Sequence, residues 1–197
     1  MEIRPLRESD DRLEVSRIYE ESWKFAYRGI IPQAYLDTIP IGRWAANRDL
    51  EGSLVLEEGG QLIGTARTGP SRWPKYPDSG EIVSLYLLPE FTGRGYGRPL
   101  LAAAVGTLAD QGYRDVLLWT LEENRRARRF YEKAGFVSTG DFMDNIIGGR
   151  PLREVLYRRP RTASPLKLEL SQTGDRIKSR RLCEEQNFLE GKCSNFK

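Results

Sequence analysis

The segment that most constrains the fold of this 197-residue chain runs from residue 81 to residue 136. It opens with EIVSLYLL, a nearly continuous apolar run that predicts a strand buried on both faces and ended by Pro89. Gly93, Gly95 and Gly97 follow, just before a helical pattern of apolar residues. Backbone N–H groups at a glycine-rich helix N-terminus can bind an anion. The turn therefore predicts a phosphate-binding site.

The second half of the segment predicts another strand and another helix. Residues 115–120 are mostly apolar and form the strand pattern. Asn124 follows at the junction, where its side chain can cap the next helix. Phe130 and Tyr131 lie on the apolar face of that helix, and Gly135 ends it. Strands that alternate with helices predict a mixed α/β sheet.

The other elements are predicted from turn residues and periodicity. Residues 69–80 contain three prolines and predict a loop, either a lid near a site or a plain connection. The remaining predictions are a strand at 2–6, a helix capped by Ser9 or Asp10, a short helix from Pro32, a helical turn within 43–50, a hairpin of 53–58 with 61–68 about Gly59 and Gly60, and closing strands at 136–142 and 152–158 joined by a loop with Gly148 and Gly149.

Aromatic residues are concentrated in two segments that could border a substrate. Residues 23–35 form an aromatic segment broken by Gly29 and Pro32, and the proline-rich loop adds Trp73 and Tyr76. We expect most aromatic side chains of the first segment in the core and some of them in the walls of a pocket. These are Trp23, Phe25, Tyr27 and Tyr35.

Composition excludes several classes of chemistry. The chain has no histidine, which removes histidine triads, histidine bases and histidine metal sites. Cys183 and Cys193 lack paired zinc spacing, so we expect neither a metal site nor a disulfide framework. The net charge of +3 is mild and its cations are dispersed, so we expect no nucleic-acid partner. The charged N-terminus and the lack of a membrane-length apolar run favour a cytoplasmic protein without membrane contact.

The composition changes near residue 160. Lysine is sparse before this point, whereas Lys167, Lys178, Lys192 and Lys197 lie beyond it together with both cysteines. We therefore predict a domain over residues 1–159 and a basic, poorly ordered or appended tail over residues 160–197. An edge strand at LKLEL and a weak helix at RIKSRRLCEEQNFLE are conceivable in that tail, which contains no recognisable motif.

The turn TGRGYG after LYLLPEF, followed by Asn-x6-Tyr within ENRRARRFYEKAGF, resembles the GNAT superfamily of N-acetyltransferases. The resemblance extends over about the first four-fifths of the chain by element order. In that family the turn usually has Gln or Arg, two residues, Gly, one residue, and Gly or Ala. Gly95 and Gly97 fit, whereas Thr92 stands at the Gln or Arg position. The resemblance implies a mixed, mostly antiparallel central sheet of six or seven strands flanked by about four helices.

The resemblance also implies acetyl-CoA as the co-substrate, with no metal. The strand backbone over Leu85, Tyr86 and Leu87 would bind the pantetheine arm, and Asn124 would bind pantetheine or orient the site. Tyr131 matches the family tyrosine placed near the cofactor sulfur. The pyrophosphate would be held by the turn residues Gly93, Arg94, Gly95, Tyr96, Gly97 and Arg98.

The implied reaction is direct attack of a primary amine on the thioester. Tyr131 would act as general acid toward the departing CoA thiolate. Glu81 stands where some relatives carry a carboxylate base, and Glu122 and Glu123 compete for that role. The backbone amide of Leu87 is a candidate donor to the thioester carbonyl.

Two other interpretations compete with an acetyltransferase. A non-catalytic module that binds or senses acyl-CoA on the same fold is the alternative to an enzyme. A dinucleotide-binding Rossmann domain fits less well, because residues 89–92 separate the strand from the glycines and the third glycine is missing. We expect the amine acceptor to be a small molecule or a peptide. The final strands could pair across a homodimer.

Overall fold

The computed structural model describes residues 1–46 and 50–160. Within them the chain forms seven strands, four α-helices and one 3-10 turn at Pro89–Phe91. The elements are, in chain order, β1 (Glu2–Pro5), α1 (Arg12–Ala26), α2 (Gln33–Asp37), β2 (Ser53–Glu58), β3 (Gln61–Pro70), β4 (Gly80–Leu87), α3 (Gly97–Asp110), β5 (Asp115–Leu121), α4 (Arg125–Lys133), β6 (Val137–Ile147) and β7 (Arg150–Pro160).

All seven strands belong to one sheet, in the order β1-β2-β3-β4-β5-β7-β6. Every neighbouring pair is antiparallel except β4 and β5, which are parallel. The parallel pair is joined through α3, as a parallel connection requires a crossover. The predicted mixed, mostly antiparallel sheet with about four helices is confirmed.

Helices cover both faces of the sheet. On one face Tyr19 of α1 hydrogen-bonds Ser84 of β4 through their hydroxyl groups at 3.0 Å. On the other face the backbone of Gly64 in β3 lies against Leu100 of α3. Helix α4 is on the α3 side, where the ring of Phe130 approaches the N-terminus of α3. The core therefore lies in two layers, one on each side of the central strands.

Two predictions of local structure are corrected. The N-cap of α1 is Asp11, which accepts the N–H of Leu13 at 2.8 Å, and not Ser9 or Asp10. The closing strands are longer than predicted, and Gly148 and Gly149 alone form the turn between them. Both glycines have positive φ angles, which lets a two-residue turn join the strands.

Two predicted segments lie partly or wholly outside the described residues. The helical turn proposed within residues 43–50 corresponds to hydrogen-bonded turns over residues 41–46, while residues 47–49 are not described. The strand and helix considered for the tail also lie outside the described range, which ends at Pro160. Among the described helices, none is long and apolar enough to cross a membrane.

Asp10 ties the start of the chain together instead of capping α1. Its two carboxylate oxygens accept hydrogen bonds from the Arg4 guanidinium at 2.8 Å each, and one also accepts the N–H of Arg7 at 2.7 Å. Both side chains are about nine-tenths buried. Arg4 and the Arg7 N–H hold the pKa of Asp10 below its ordinary value of 3.8, against the opposing effect of burial.

We expect Asp10→Asn to lower the free energy of unfolding by about 2 kcal/mol at pH 7, the usual worth of hydrogen bonds to a charged group. Since the folded-state pKa is depressed, this stability is fully present above the unfolded pKa and is lost as the pH falls through the folded pKa. Urea unfolding should therefore show a difference that shrinks as the pH falls below 3.8. Asp144→Asn, in an exposed pair with Arg153, is the matched control and should change little.

Candidate active site

The sheet opens between β4 and β5. Among the described residues, their parallel pairing covers two positions, Gly80 with Val116 and Glu81 with Leu117. On its other side β4 stays paired with β3 as far as Leu87. The backbone of β4 beyond its second residue therefore borders a gap on the β5 side, where its N–H and C=O groups have no strand partner.

An irregularity in β4 resets which residues face α1. Arg67 of β3 is opposite Ser84, and the next residue, Thr68, is opposite Ile82, so β4 contains one extra residue between them. Regular alternation would place Glu81 and Ser84 on opposite faces. The extra residue instead brings them onto the same face, the one covered by α1.

A cavity of about 600 Å³ fills the gap between the two strands. Its walls come from α1, β4, the glycine-rich turn, β5 and α4. Most of the predicted site residues line this cavity together. They are Leu85, Tyr86, Leu87, Gly93, Gly95, Gly97, Arg98, Asn124 and Tyr131.

The turn before α3 has the geometry of an anion site. Gly93 and Gly95 have φ angles of +80° and +97°, values that non-glycine residues adopt only with strain. Tyr96, which precedes α3, gives the helix no side-chain cap. In the first turn of α3, Pro99 has no N–H and the Arg98 N–H donates to the Gly95 carbonyl at 3.3 Å. The N–H of Gly97 has no helical partner and is available to a negatively charged group, and the Arg98 side chain adds a positive charge.

Asn124 and Tyr131 bring α4 into the cavity. Asn124 is the N-cap of α4, as predicted, since its Oδ1 accepts the N–H of Ala127 at 3.1 Å. Tyr131 follows two helical turns later, which places both side chains on one face of the helix. The Tyr131 ring is 9% exposed and packs near Phe130 and Phe136. Burial, followed by the neighbouring Tyr86, raises the pKa of Tyr131, so the phenol keeps its proton at neutral pH.

Sequence comparison identifies the family. A sequence profile of the acetyltransferase (GNAT) family matches residues 14–136. An uncharacterized N-acetyltransferase of Archaeoglobus fulgidus is 34% identical over 136 residues, which are 66% of this chain and 89% of that protein. This chain belongs to the GNAT acetyltransferase family. It is an acetyl-CoA-dependent N-acetyltransferase.

Solved structures share the GNAT fold. The PaiA N-acetyltransferase of Thermoplasma acidophilum, in complex with coenzyme A, has a TM-score of 0.62 at 23% identity, over 81% of this chain and 98% of that chain. The protein yncA of Salmonella typhimurium, with its cofactor acetyl-CoA, has a TM-score of 0.62 at 22% identity, over 86% of this chain and 99% of that chain. At these identities the likeness concerns the fold.

The other three predicted GNAT site residues lie outside the cavity lining. Arg94 is exposed, with its guanidinium 5.9 Å from the ring centroid of Phe91. Tyr96 hydrogen-bonds Glu58 at 3.3 Å through its hydroxyl group. Both stay within the turn that the cavity borders, so their roles toward a phosphate remain predictions. Glu81, the third, lies in the sheet.

Glu81 is buried in a salt bridge. Its side chain is 2% exposed, and both carboxylate oxygens accept hydrogen bonds from Arg72. The guanidinium donates at 2.6 and 3.2 Å, and the backbone N–H of Arg72 donates at 2.9 Å. The pair joins β4 to the loop over residues 71–79. The role of Glu81 as a base stays a prediction.

Glu122 and Glu123, the competing carboxylates, lie elsewhere. Both are exposed and line a separate cavity together with arginine side chains from the α1–α2 connection and α4. Glu123 forms an ion pair with Arg150 at 3.1 Å. The structure therefore does not bring either carboxylate into the cavity that contains Tyr131.

Several cavity residues were missed by the motif. Ser22 and Phe25 are on one face of α1, and the Ser22 hydroxyl donates to the Leu87 carbonyl at 2.6 Å. Their helical spacing of three residues was the available signal. Phe25 and Tyr27, both within the predicted aromatic segment, line the cavity, whereas Trp23 is buried in the core. Others contributed by β5 and α4 are Trp119, Thr120, Arg126, Arg129 and Lys133.

The proline-rich loop is fastened beside the cavity. Lys75 and Tyr76 both bond the carboxylate of Asp141 in β6, at 2.6 and 2.7 Å. Trp73 stacks edge-on against the cavity residue Trp119, with 5.1 Å between ring centroids. Of the two predicted aromatic segments, this loop therefore packs behind Trp119 and does not itself line the cavity.

Asn124→Ala should lower the free energy of unfolding by about 1 kcal/mol, because the first turn of α4 loses its cap. Asn124→Asp is the matched variant, since its carboxylate still accepts the Ala127 N–H and also favours the positive helix terminus. Urea unfolding of both variants checks this. Equal destabilisation by Ala and Asp would contradict a capping role.

Proposed function

We propose that this GNAT enzyme transfers an acetyl group to a primary amine by direct attack on the thioester, with Tyr131 as general acid. The observation that carries the proposal is the meeting of the glycine-rich turn, Asn124 and Tyr131 in one cavity at the gap in the sheet. Acetyl-CoA, when bound, supplies the thioester that the amine attacks.

The residues present fit such a cofactor. The unpaired side of β4 offers backbone N–H and C=O groups over Leu85, Tyr86 and Leu87, as a pantetheine arm with two amides requires. The glycine turn and Arg98 suit the pyrophosphate. The PaiA and yncA structures, which contain coenzyme A and acetyl-CoA, support the same assignment on this fold.

The proposed chemistry uses groups near the gap. The Leu87 N–H would donate to the thioester carbonyl as negative charge develops on its oxygen. Tyr131, protonated because burial raises its pKa, would donate to the sulfur as the carbon–sulfur bond breaks. A group on the α1 face would accept the proton of the amine, and Glu81 is the residue predicted for that role.

A broad screen tests the proposal. Purified protein is mixed with acetyl-CoA and a panel of small amines, polyamines and peptides with free N-termini, and free thiol is followed. Thiol release that depends on an amine supports transfer. Tight binding of CoA without thiol release for any amine would favour the non-catalytic binding module instead.

A homodimer formed through the final strands stays a prediction. Among the described strands, β6 is at one edge of the sheet, so no described strand pairs with one side of its backbone. Val137, Phe142 and Ile146 of this strand are exposed. These features support pairing of β6 with a second copy.

Gly95→Ala should weaken CoA binding about tenfold, because a side chain costs about 1–2 kcal/mol at the left-handed φ that the turn requires. Gly140→Ala in β6 is the matched control. Its φ is +83° and, as at Gly95, an added Cβ would meet open space. Calorimetric titration with CoA should show the loss for Gly95→Ala only, and equal affinities would contradict the role of the turn.

Tyr131→Phe should lower kcat about 100-fold and leave the CoA dissociation constant unchanged, because it removes a proton donor and keeps the ring. Tyr113→Phe, at a phenol outside the cavity lining, is the control. Since the pKa of Tyr131 is raised above its ordinary value of 10, the wild-type rate should not fall between about pH 7 and 9 through loss of this proton. Unchanged turnover in Tyr131→Phe would remove the assigned role.

A further inference from the structure

Glu154 of β7, one of three buried glutamates among the described residues, has no part in the mechanism above. This residue is 6% exposed. Carboxylates are rarely buried without a charged partner or a function, because desolvation disfavours the ionised form. Among the described residues, Glu154 receives one hydrogen bond, from the side-chain amide of Asn145 at 3.0 Å. Glu81, in contrast, accepts three from Arg72.

The strand register places Glu154 on the α1 face of the sheet. Glu154 is opposite Leu121 in the antiparallel pairing of β5 with β7. Opposed residues share a face, and so do residues two apart along a strand. Glu154 is therefore on the same face as Trp119, which lines the cavity. Glu81, opposite Leu117 of β5, is also on this face.

Tyr27 is a cavity residue that has Glu154 as an electrostatic neighbour. Its ring lines the cavity, and its hydroxyl lies 3.4 Å from that of Tyr86. Burial raises the pKa of Tyr27, and the neighbouring Glu154 and Tyr131 raise it further. Tyr27 thus has Glu154 and the proposed acid, Tyr131, as electrostatic neighbours.

The surroundings of Glu154 favour its uptake of a proton. Burial raises its pKa above the ordinary 4.5, and the charge of Glu81 on β4 acts in the same direction. Asn145 on β6 and the Arg72 guanidinium on the β3–β4 loop act against this rise. Tyr27, at the end of α1, is neutral at physiological pH. A carboxylate with a raised pKa is a better acceptor for an ammonium proton than an exposed one.

We propose that Glu154, rather than Glu81, is the terminal acceptor of the amine's proton, which reaches it through the hydroxyl of Tyr27. The inference rests on the proposed function and names a further residue of the same site. A hydroxyl can accept one proton while it donates another, so Tyr27 need not become charged. Glu81 then serves to hold Arg72, whose charge limits the rise in the pKa of Glu154.

The protons balance over one turnover. The ammonium gives one proton to Glu154 through Tyr27, which leaves a neutral amine. The nitrogen lone pair forms the bond to the acetyl carbon, and the carbon–sulfur bond breaks with its electron pair on sulfur. Tyr131 gives its proton to the thiolate. The nitrogen loses a second proton on becoming an amide, and one proton returns to Tyr131. Glu154 then returns its proton to solvent.

Glu154→Gln tests the inference because it keeps a side chain that can accept the Asn145 hydrogen bond but cannot take up a proton. At pH 7 we expect kcat/KM for the amine to fall about 100-fold, with the CoA dissociation constant unchanged. The loss should narrow as the pH rises toward the pKa of the amine, since neutral amine then arrives from solution. A purely structural role would give a loss independent of pH.

Three further variants keep the inference falsifiable. Tyr27→Phe should show the same pH-dependent loss, and the double variant should be no worse than either single one. Asn145→Ala should move the acidic limb of the wild-type pH profile to higher pH, because the hydrogen bond that favours the charged carboxylate is lost. Asp144→Asn, on the exposed side of β6, should leave the profile unchanged.

The outcomes separate this inference from the function on which it rests. Wild-type turnover with no loss in Glu154→Gln, or a pH-dependent loss in Glu81→Gln alone, would overturn the assignment and leave the acetyltransferase proposal standing. If Glu154→Gln does not fold, the Asn145→Ala variant decides. An acidic limb of its pH profile that stays at the wild-type position would equally overturn the assignment of Glu154. Absence of turnover by the wild type with every amine would overturn both proposals.

Discussion

The divergence of β4 from β5 after two paired positions is the constraint on which the site depends. A fully paired parallel strand would have used the N–H and C=O groups on that side of β4 and closed the space between the strands. Instead the backbone beyond Glu81 borders a cavity whose other walls come from β5, two helices and a turn. The site therefore forms where the hydrogen bonding between β4 and β5 ends.

The gap joins the two faces of the sheet. Gly97 and Phe130 line the cavity on the α3 side, whereas Tyr27 and Trp119 line it next to α1. Under the proposed function, one reactant is held at the helix N-terminus on the first face and the other arrives from the second. Tyr131 lines the same cavity. Because the amine arrives from the other face, the proton donor and the attacking nitrogen need not compete for one position.

Local patterns predicted much of this site, and long-range pairing set the rest. The turn glycines, Asn124 and Tyr131 were predictable because their spacing along one strand–helix segment fixes their relation. Glu154 was not, because its place depends on the register between β5 and β7. The sequence also does not predict the face of the sheet on which Glu81 lies. That face depends on one extra residue in β4, which no turn signal marks.

The chemistry at position 154 is hard to explain by stability alone. The hydrogen bond from Asn145 needs only an acceptor oxygen, which a neutral glutamine provides as well as a glutamate does. A buried carboxylate adds a desolvation cost and repulsion from Glu81, and the nearby Arg72 offsets these in part. A carboxyl group that the fold does not require, beside a cavity where an amine must lose a proton, is better explained by that proton transfer.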